Sequence, residues 1–268
     1  MPVLTGVDRR LIARLPAFSP IAVRLLTVLA DDPTSFKEVS RLISLDPVLA
    51  GEVLRLANSG LYGRRFEVRS ILNAIAMLGI GKLTQIAVTA ILWRGLPTRP
   101  APFVREWWRH SIAAALVARQ TSKDLNTDFS YTGALLHGVG QLALFMDAPM
   151  DYPNLVERAY TDGFDLLERE RDIFGVDHAG LGGLILESWG LPESFPDSAA
   201  KHHDPGARGP LVRAVQSGCW GAEYAGFGRC GCRQRLTEDV TVEMAELLAT
   251  DCLLTLVTAV NQIECSFA

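Results

Sequence analysis

The sequence lacks the features that would place the protein in a membrane, in a secreted compartment or on a nucleic acid. Its longest apolar run, near Ile86–Trp93, is far too short to span a bilayer. The first residues carry their charges after an apolar start and have no long apolar core, unlike a signal peptide. The formal net charge of −4 gives no dominant basic surface, which disfavours a nucleic-acid partner. We therefore expect a cytoplasmic protein.

Cysteine is scarce, and patterns for strands or for a serine-type catalytic triad are missing. Five cysteines, an odd number, lie in a chain of 268 residues, which is long enough to bury a core without disulfides, so free thiols are expected. Cys230 and Cys232, with Cys219 nearby, lack the spacing of a zinc finger, and a flexible turn is favoured there over a zinc or redox role. No segment has the alternation that predicts a strand, and no Ser-His-Asp arrangement with a nucleophile elbow occurs.

What the sequence does contain is apolar periodicity of the helical kind along nearly its whole length. Asp46 followed by Pro47 is typical of a helix start, and Ser70 and Gly79 bracket a further apolar segment as its cap and its end. Three prolines within residues 95–102 interrupt the helices. We therefore predict an all-α, two-lobed helical bundle, with lobes over residues 1–95 and 103–268 and a proline-rich linker over residues 96–102.

The second lobe carries all five histidines, in segments that we expect to be helical. These segments include a single helix over residues 129–147, and the lobe ends in a helix over residues 240–264 that packs on its own bundle or forms a homodimer. Imidazole is the commonest metal ligand in proteins. Glu106 lies four residues before His110, on the same helix face, and could add a carboxylate. The candidate metal ligands are Glu106, His110, His137, His178, His202 and His203.

Motifs in both lobes resemble those of the HDOD family, the HD-related output domain. In the first lobe they are Leu45-Asp-Pro-Val-Leu49 and Leu54-Arg-Leu-Ala-Asn-Ser-Gly-Leu-Tyr-Gly63. In the second lobe they are Ala134-Leu-Leu-His137, Phe174-Gly-Val-Asp-His178 and His202-His203-Asp204. The resemblance covers roughly residues 14–228. It implies an all-helical bacterial signalling module, with a first lobe particular to the family and a second lobe similar to HD metal phosphohydrolases.

The resemblance also implies a degraded metal site. It assigns His110 and His137 to the first histidine and to the His-Asp pair of HD phosphohydrolases, and the other three histidines to the later histidines of that superfamily. Gly138 stands where the aspartate of the pair is required, and residues 215–224 offer no final aspartate. Hard cations prefer oxygen ligands, so these losses weaken Mg²⁺ and Mn²⁺ most, and an imidazole-rich remnant suits Zn²⁺, Fe²⁺ or Ni²⁺ better. We expect no cofactor and no hydrolysis.

The Leu54–Gly63 motif and the residues that follow it supply candidate partner-binding residues. They are Asn58, Tyr62, Arg64, Arg65 and Arg69. The alternative is that they serve local structure, because Asn58 can cap a helix, Tyr62 can fill a hole in the core, and a basic cluster is commonly solvated.

Three functions remain open at this stage. The leading hypothesis is a non-catalytic signalling scaffold that contacts another regulatory protein, such as a cyclic di-GMP enzyme or a kinase, in cyclic-dinucleotide, stress or motility signalling. The first alternative is a metal-dependent phosphodiesterase or nucleotidase with an atypical histidine-rich site. The second alternative is a sensor that binds a nucleotide without cleaving it.

Overall fold

The fold was analysed in a computed structural model, which describes residues 10–12, 15, 19–30, 36–58, 68–96, 100–122, 127–228, 244–245, 248 and 250–267. Its regular elements are helices, and no strand occurs within these ranges. The all-α prediction is therefore confirmed. None of the described helices has the length and apolar character needed to cross a bilayer.

The described residues group into two compact units. The small unit contains those of Ala17–Arg99 and Val257–Ala268, and the large unit those of Met1–Pro16 and Pro100–Leu256. The small unit holds five complete helices: α1 (Pro20–Ala30), α2 (Phe36–Ser44), α3 (Pro47–Ala57), α4 (Ile71–Leu78) and α5 (Ile80–Arg94).

Helix α5 is the centre of the small unit, because it contacts each of the four other helices. Every residue from Leu83 to Leu92 is buried. The buried hydroxyl of Thr89 donates to the Gln85 carbonyl, so this polar group is satisfied inside the helix itself. The apolar core around α5 is built from aliphatic side chains of all five helices.

Local helix signals in the small unit act as predicted. The Asp46 side chain caps α3 by accepting from the backbone N–H groups of Val48 and Leu49. The Ser70 hydroxyl accepts from the Asn73 N–H at the start of α4. Gly79 ends α4 with φ at +83°, a conformation that favours glycine.

The large unit holds eight complete helices. They are α6 (Pro102–Thr121), α7 (Thr127–Leu136), α8 (Val139–Asp147), α9 (Tyr152–Asp162), α10 (Leu166–Phe174), α11 (His178–Ser188), α12 (Ser194–Lys201) and α13 (Pro210–Tyr224). The last helix, α14 (Thr250–Phe267), begins ten residues later than predicted, and most of residues 240–249 lie outside the described ranges.

The prediction of one helix over residues 129–147 is wrong, because the chain breaks into α7 and α8 at His137 and Gly138. Two glycines within three residues, Gly138 and Gly140, have low helix propensity. The break also permits close packing: a Cβ atom on Gly140 would lie 2.0 Å from the carbonyl oxygen of His178. As a result α8 approaches α11, and His137 turns towards the other histidines.

Candidate metal centre

All five histidines lie in the large unit and are buried, none being more than 4% exposed. His110 lies within α6, whereas the other four lie at helix ends. His137 directly follows α7, His178 is the first residue of α11, and His202 and His203 directly follow α12. Helix ends from three parts of the chain therefore bring imidazoles to one interior region beside α6.

Backbone carbonyls fix the orientation of three of the rings. Nδ1 of His110 donates to the Phe227 carbonyl at 2.8 Å, Nδ1 of His137 to Ala134 at 2.5 Å, and Nδ1 of His202 to Ala199 at 2.6 Å. A carbonyl oxygen only accepts hydrogen bonds, so each Nδ1 must carry a proton. In the neutral rings Nε2 is then an unprotonated donor atom for a cation.

A buried carboxylate fixes the fourth ring. Nδ1 of His178 donates to Glu170 Oε2 at 2.7 Å, and the backbone N–H of His178 donates to the same oxygen at 2.8 Å. The Tyr152 hydroxyl donates to Oε1 at 2.6 Å. Glu170 is fully buried, and these three donors compensate for its desolvation.

The donor atoms form two groups. The mixed group consists of His110, His137 and Cys219, and the all-histidine group consists of His178, His202 and His203; within each group the donor atoms lie within 4.8 Å of one another. In the mixed group, Nε2 of His110 lies 3.3 Å from Nε2 of His137 and 3.7 Å from Sγ of Cys219. In the all-histidine group, Nε2 of His178 lies 2.8 Å from Nε2 of His203.

The interior keeps two of these imidazoles neutral. Burial lowers the pKa of His137 to about 3, with a further contribution from the neighbouring His110. Burial also lowers the pKa of His202 well below its usual value, with a contribution from His137. Neutral imidazole is the form that binds metals, so these rings need no deprotonation at neutral pH.

The position after His137 has no room for a carboxylate. A Cβ atom on Gly138 would lie 2.9 Å from Nε1 of Trp107, and this indole nitrogen donates to the Gly138 carbonyl at 2.7 Å. Glu106 is exposed and lies, with Trp107 and His110, on the wall of a cavity of about 180 Å³. Among the described residues, neither donor group contains a carboxylate.

Sequence reasoning missed Cys219 and Glu170. Cys219 lies in α13, within the segment where a final aspartate was sought, and its side chain is fully buried. The spacing of four residues between the buried Leu211, Val215 and Cys219 places all three on one face, which is a signal that could have identified it. Glu170 gave no such signal, because its neighbours in α10 are mostly charged and exposed.

Of the partner-binding candidates, Asn58 is engaged in the fold. Its side-chain amide donates to the carbonyls of Leu54 and Val68, both at 2.8 Å, and its oxygen accepts from the Val68 N–H at 2.7 Å. Asn58 thus ends α3 and links its last turn to Val68. Arg69 is exposed. Tyr62, Arg64 and Arg65, like Cys230 and Cys232, lie outside the described residues. Partner binding by these residues remains a prediction.

Comparison with known proteins gives a family and a fold. The model of the HDOD domain matches residues 15–205. The chain is similar to the crystal structure of an HDOD domain protein of unknown function from Geobacter sulfurreducens, with 23% identity, a TM-score of 0.77, and coverage of 96% of this chain and 97% of that chain. It is also similar to a candidate phosphohydrolase from Shewanella amazonensis SB2B, with 20% identity, a TM-score of 0.73, and coverage of 98% and 99%.

One curated relative also matches. It is an uncharacterized protein of Treponema pallidum (strain Nichols), 22% identical over 208 residues, which are 75% of this chain. The chain spans 40% of the length of that relative. The Geobacter and Shewanella structures are each less than 25% identical in sequence to this chain, so their likeness to it concerns the fold alone.

Proposed function

Because this chain belongs to the HDOD domain family, we propose that it is a regulatory module of bacterial signalling that acts by contact with another protein and does not hydrolyse phosphodiesters. The expected partner is a signalling protein, such as an enzyme of cyclic di-GMP metabolism, a kinase or a regulator. The observation that carries the proposal is the Trp107 indole in the space beside Gly138, where an HD hydrolase requires a carboxylate.

Hydrolysis by the superfamily's chemistry needs a divalent metal that lowers the pKa of a bound water. Hard cations such as Mg²⁺ and Mn²⁺ prefer oxygen ligands, and the two donor groups offer imidazole and thiol instead. A side chain at position 138 would have to displace Trp107, which is itself buried. Replacing Gly138 by aspartate would therefore also require the Trp107 indole to move.

Exposed apolar side chains in the small unit support a role in protein contact. Phe36, Leu45 and Val48 are each more than half exposed. Single exposed apolar residues are common on protein surfaces, so they add support without carrying the proposal. The cavity beside His110, at about 180 Å³, is smaller than the roughly 300–1,000 Å³ of pockets that enclose drug-sized ligands, which disfavours a nucleotide site in that cavity.

The test for catalysis uses the full chain loaded in turn with Mn²⁺, Fe²⁺ and Zn²⁺. Cyclic dinucleotides and a generic aryl phosphodiester serve as substrates, and His137→Ala is the control. We expect wild type and variant to give the same rate as metal in buffer. Metal-dependent turnover that is lost in His137→Ala would overturn the proposal.

The test for partner contact uses a photo-crosslinking residue at Val48 in the native cell, with Met150 of the large unit as a control position that is also exposed. We expect a discrete adduct from Val48 with one signalling protein. The activity of the captured protein is then measured with and without the purified module. A change in that activity supports the proposal. A partner whose activity is unaffected by the module contradicts the proposal.

A further inference from the structure

The mixed group brings three metal-binding donor atoms together, within 4.8 Å of one another. The Nδ1 protons of His110 and His137 are both donated to backbone carbonyls. In the neutral rings the two Nε2 atoms therefore face each other, 3.3 Å apart, without a proton between them. Sγ of Cys219 lies 3.7 Å from Nε2 of His110, so a third donor atom completes the group.

Two of the three distances within the mixed group match those expected for ligands of one tetrahedral zinc ion, and the third is no longer than 4.8 Å. With Zn–N bonds of about 2.0–2.1 Å and a Zn–S bond of about 2.3 Å, two nitrogen ligands lie about 3.3 Å apart and a nitrogen and a sulfur about 3.6 Å. The observed distances are 3.3 Å between Nε2 of His110 and His137, and 3.7 Å between Nε2 of His110 and Sγ of Cys219.

The all-histidine group differs on this point. The 2.8 Å between Nε2 of His178 and Nε2 of His203 is too short for two ligands of one ion and is typical of an N–H···N hydrogen bond. A single proton satisfies this pair, and no metal is needed. The distance criterion therefore selects the mixed group as the metal site.

The chemistry of the donors selects the metal. Hard cations of the kind used by HD hydrolases do not fit, because the mixed group has no oxygen ligand among its members. Thiolate with two imidazoles is a ligand set for zinc-class ions. We propose that His110, His137 and Cys219 bind one zinc-class cation, with Cys219 as a thiolate ligand. The proposal is independent of the proposed regulatory function.

The surroundings of the mixed group are those of a metal site. Ligand histidines usually donate their second ring nitrogen to a carbonyl or carboxylate, as His110 and His137 do. His202 packs edge-on against His137 at 4.8 Å between ring centroids. The cavity that reaches His110 gives an entry path for the ion.

The test is titration of the metal-free full chain with Co²⁺, which reports its ligands by absorption. We expect uptake of one equivalent, a thiolate-to-cobalt charge-transfer band in the near ultraviolet, and displacement of Co²⁺ by Zn²⁺. Cys219→Ser should remove the band and weaken Zn²⁺ binding by more than the roughly 10–100-fold that loss of an outer-shell partner costs. Circular dichroism checks that the variant folds.

Matched cysteine variants test three of the four other thiols. Cys252→Ser alters a partly buried thiol in the same unit, and Cys230→Ser combined with Cys232→Ser removes the pair in the sequence. Both should keep the charge-transfer band. Stoichiometric Co²⁺ without the band, a band that persists in Cys219→Ser, or no cobalt uptake at all would each overturn the proposal. If Cys219→Ser fails to fold, the presence or absence of the charge-transfer band in the wild type still decides whether a thiolate binds the ion. None of these results changes the test for hydrolysis.

Discussion

The two halves of the buried imidazole cluster use the same side chain in different surroundings. In the all-histidine group, His178 is held by the carboxylate of Glu170 and bonds directly to His203, so protons satisfy the pair. In the mixed group, His110 and His137 are held by neutral carbonyls and face each other and a thiol. We infer that the second partner of each histidine, more than the histidine itself, decides between a hydrogen-bonded pair and the proposed cation site.

The largest expected effect comes from removing the carboxylate beside the all-histidine group. Glu170→Ala leaves the Tyr152 hydroxyl and two N–H groups of His178 buried without their acceptor. We expect a loss of about 3–5 kcal/mol in the free energy of unfolding, because each buried donor left without its acceptor costs about 1–3 kcal/mol. Urea denaturation of the metal-free protein measures it.

Glu168→Ala is the control, because Glu168 is exposed on the same helix. It should cost less than about 1 kcal/mol. Equal stability of the two variants would mean that Glu170 does not hold the all-histidine group together. Glu170→Gln, which keeps one acceptor oxygen, should lie between them.

The next effect tests the space beside the mixed group. Gly138→Ala places a methyl group 2.9 Å from the Trp107 nitrogen, and the indole has to move. Overpacking of this kind costs about 1–3 kcal/mol. Thermal unfolding measures it, with Gly51→Ala in α3 as the control, since a Cβ atom there has nothing within 4 Å. The control should raise stability by about 0.5–1 kcal/mol. A neutral Gly138→Ala would show that a carboxylate could be accommodated after all.

Much of the fold could be predicted from local signals, and the site could be predicted only in part. Helix caps such as Asp46 and Ser70 act within a few residues, so the sequence displays them directly. The histidines could be found because the family resemblance assigned all five to one site. Cys219 and Glu170 could not, because their roles depend on how α13 and α10 lie relative to α6 and α11, which local periodicity does not encode. The break at Gly138 depends on the same packing.

A third prediction concerns how the stability of the metal-free protein depends on pH through the buried histidines. The pKa values of His137 and His202 are lowered in the folded state, His137 to about 3 from 6.5. Between those pH values the unfolded chain binds protons that the folded chain does not, so acid favours unfolding. The stability from these groups is fully present above about pH 6.5 and is lost as the pH falls towards 3.

Each such histidine contributes a slope of up to about 1.4 kcal/mol per pH unit. His137→Gln should therefore flatten the dependence of unfolding free energy on pH between about 6.5 and 4.5 by up to this amount. An unchanged slope would mean that His137 is protonated in the folded protein, and the facing lone pairs of the mixed group would then share a proton.

The smallest expected effect separates two carboxylates that the sequence could not rank. Glu106 lies four residues before His110 and was a candidate ligand, yet it is exposed on the cavity wall, whereas Glu170 is fully buried against His178. Glu106→Gln should change the free energy of unfolding by no more than about 0.5 kcal/mol, as exposed substitutions usually do. It should also leave the cobalt spectrum and stoichiometry unchanged. If Glu106→Gln instead weakened metal binding severalfold, the ion would have an oxygen ligand from the cavity side. Such a site would resemble that of a hydrolase more closely than a site of two imidazoles and a thiolate does, and the substrate screen would have to be repeated with that metal bound.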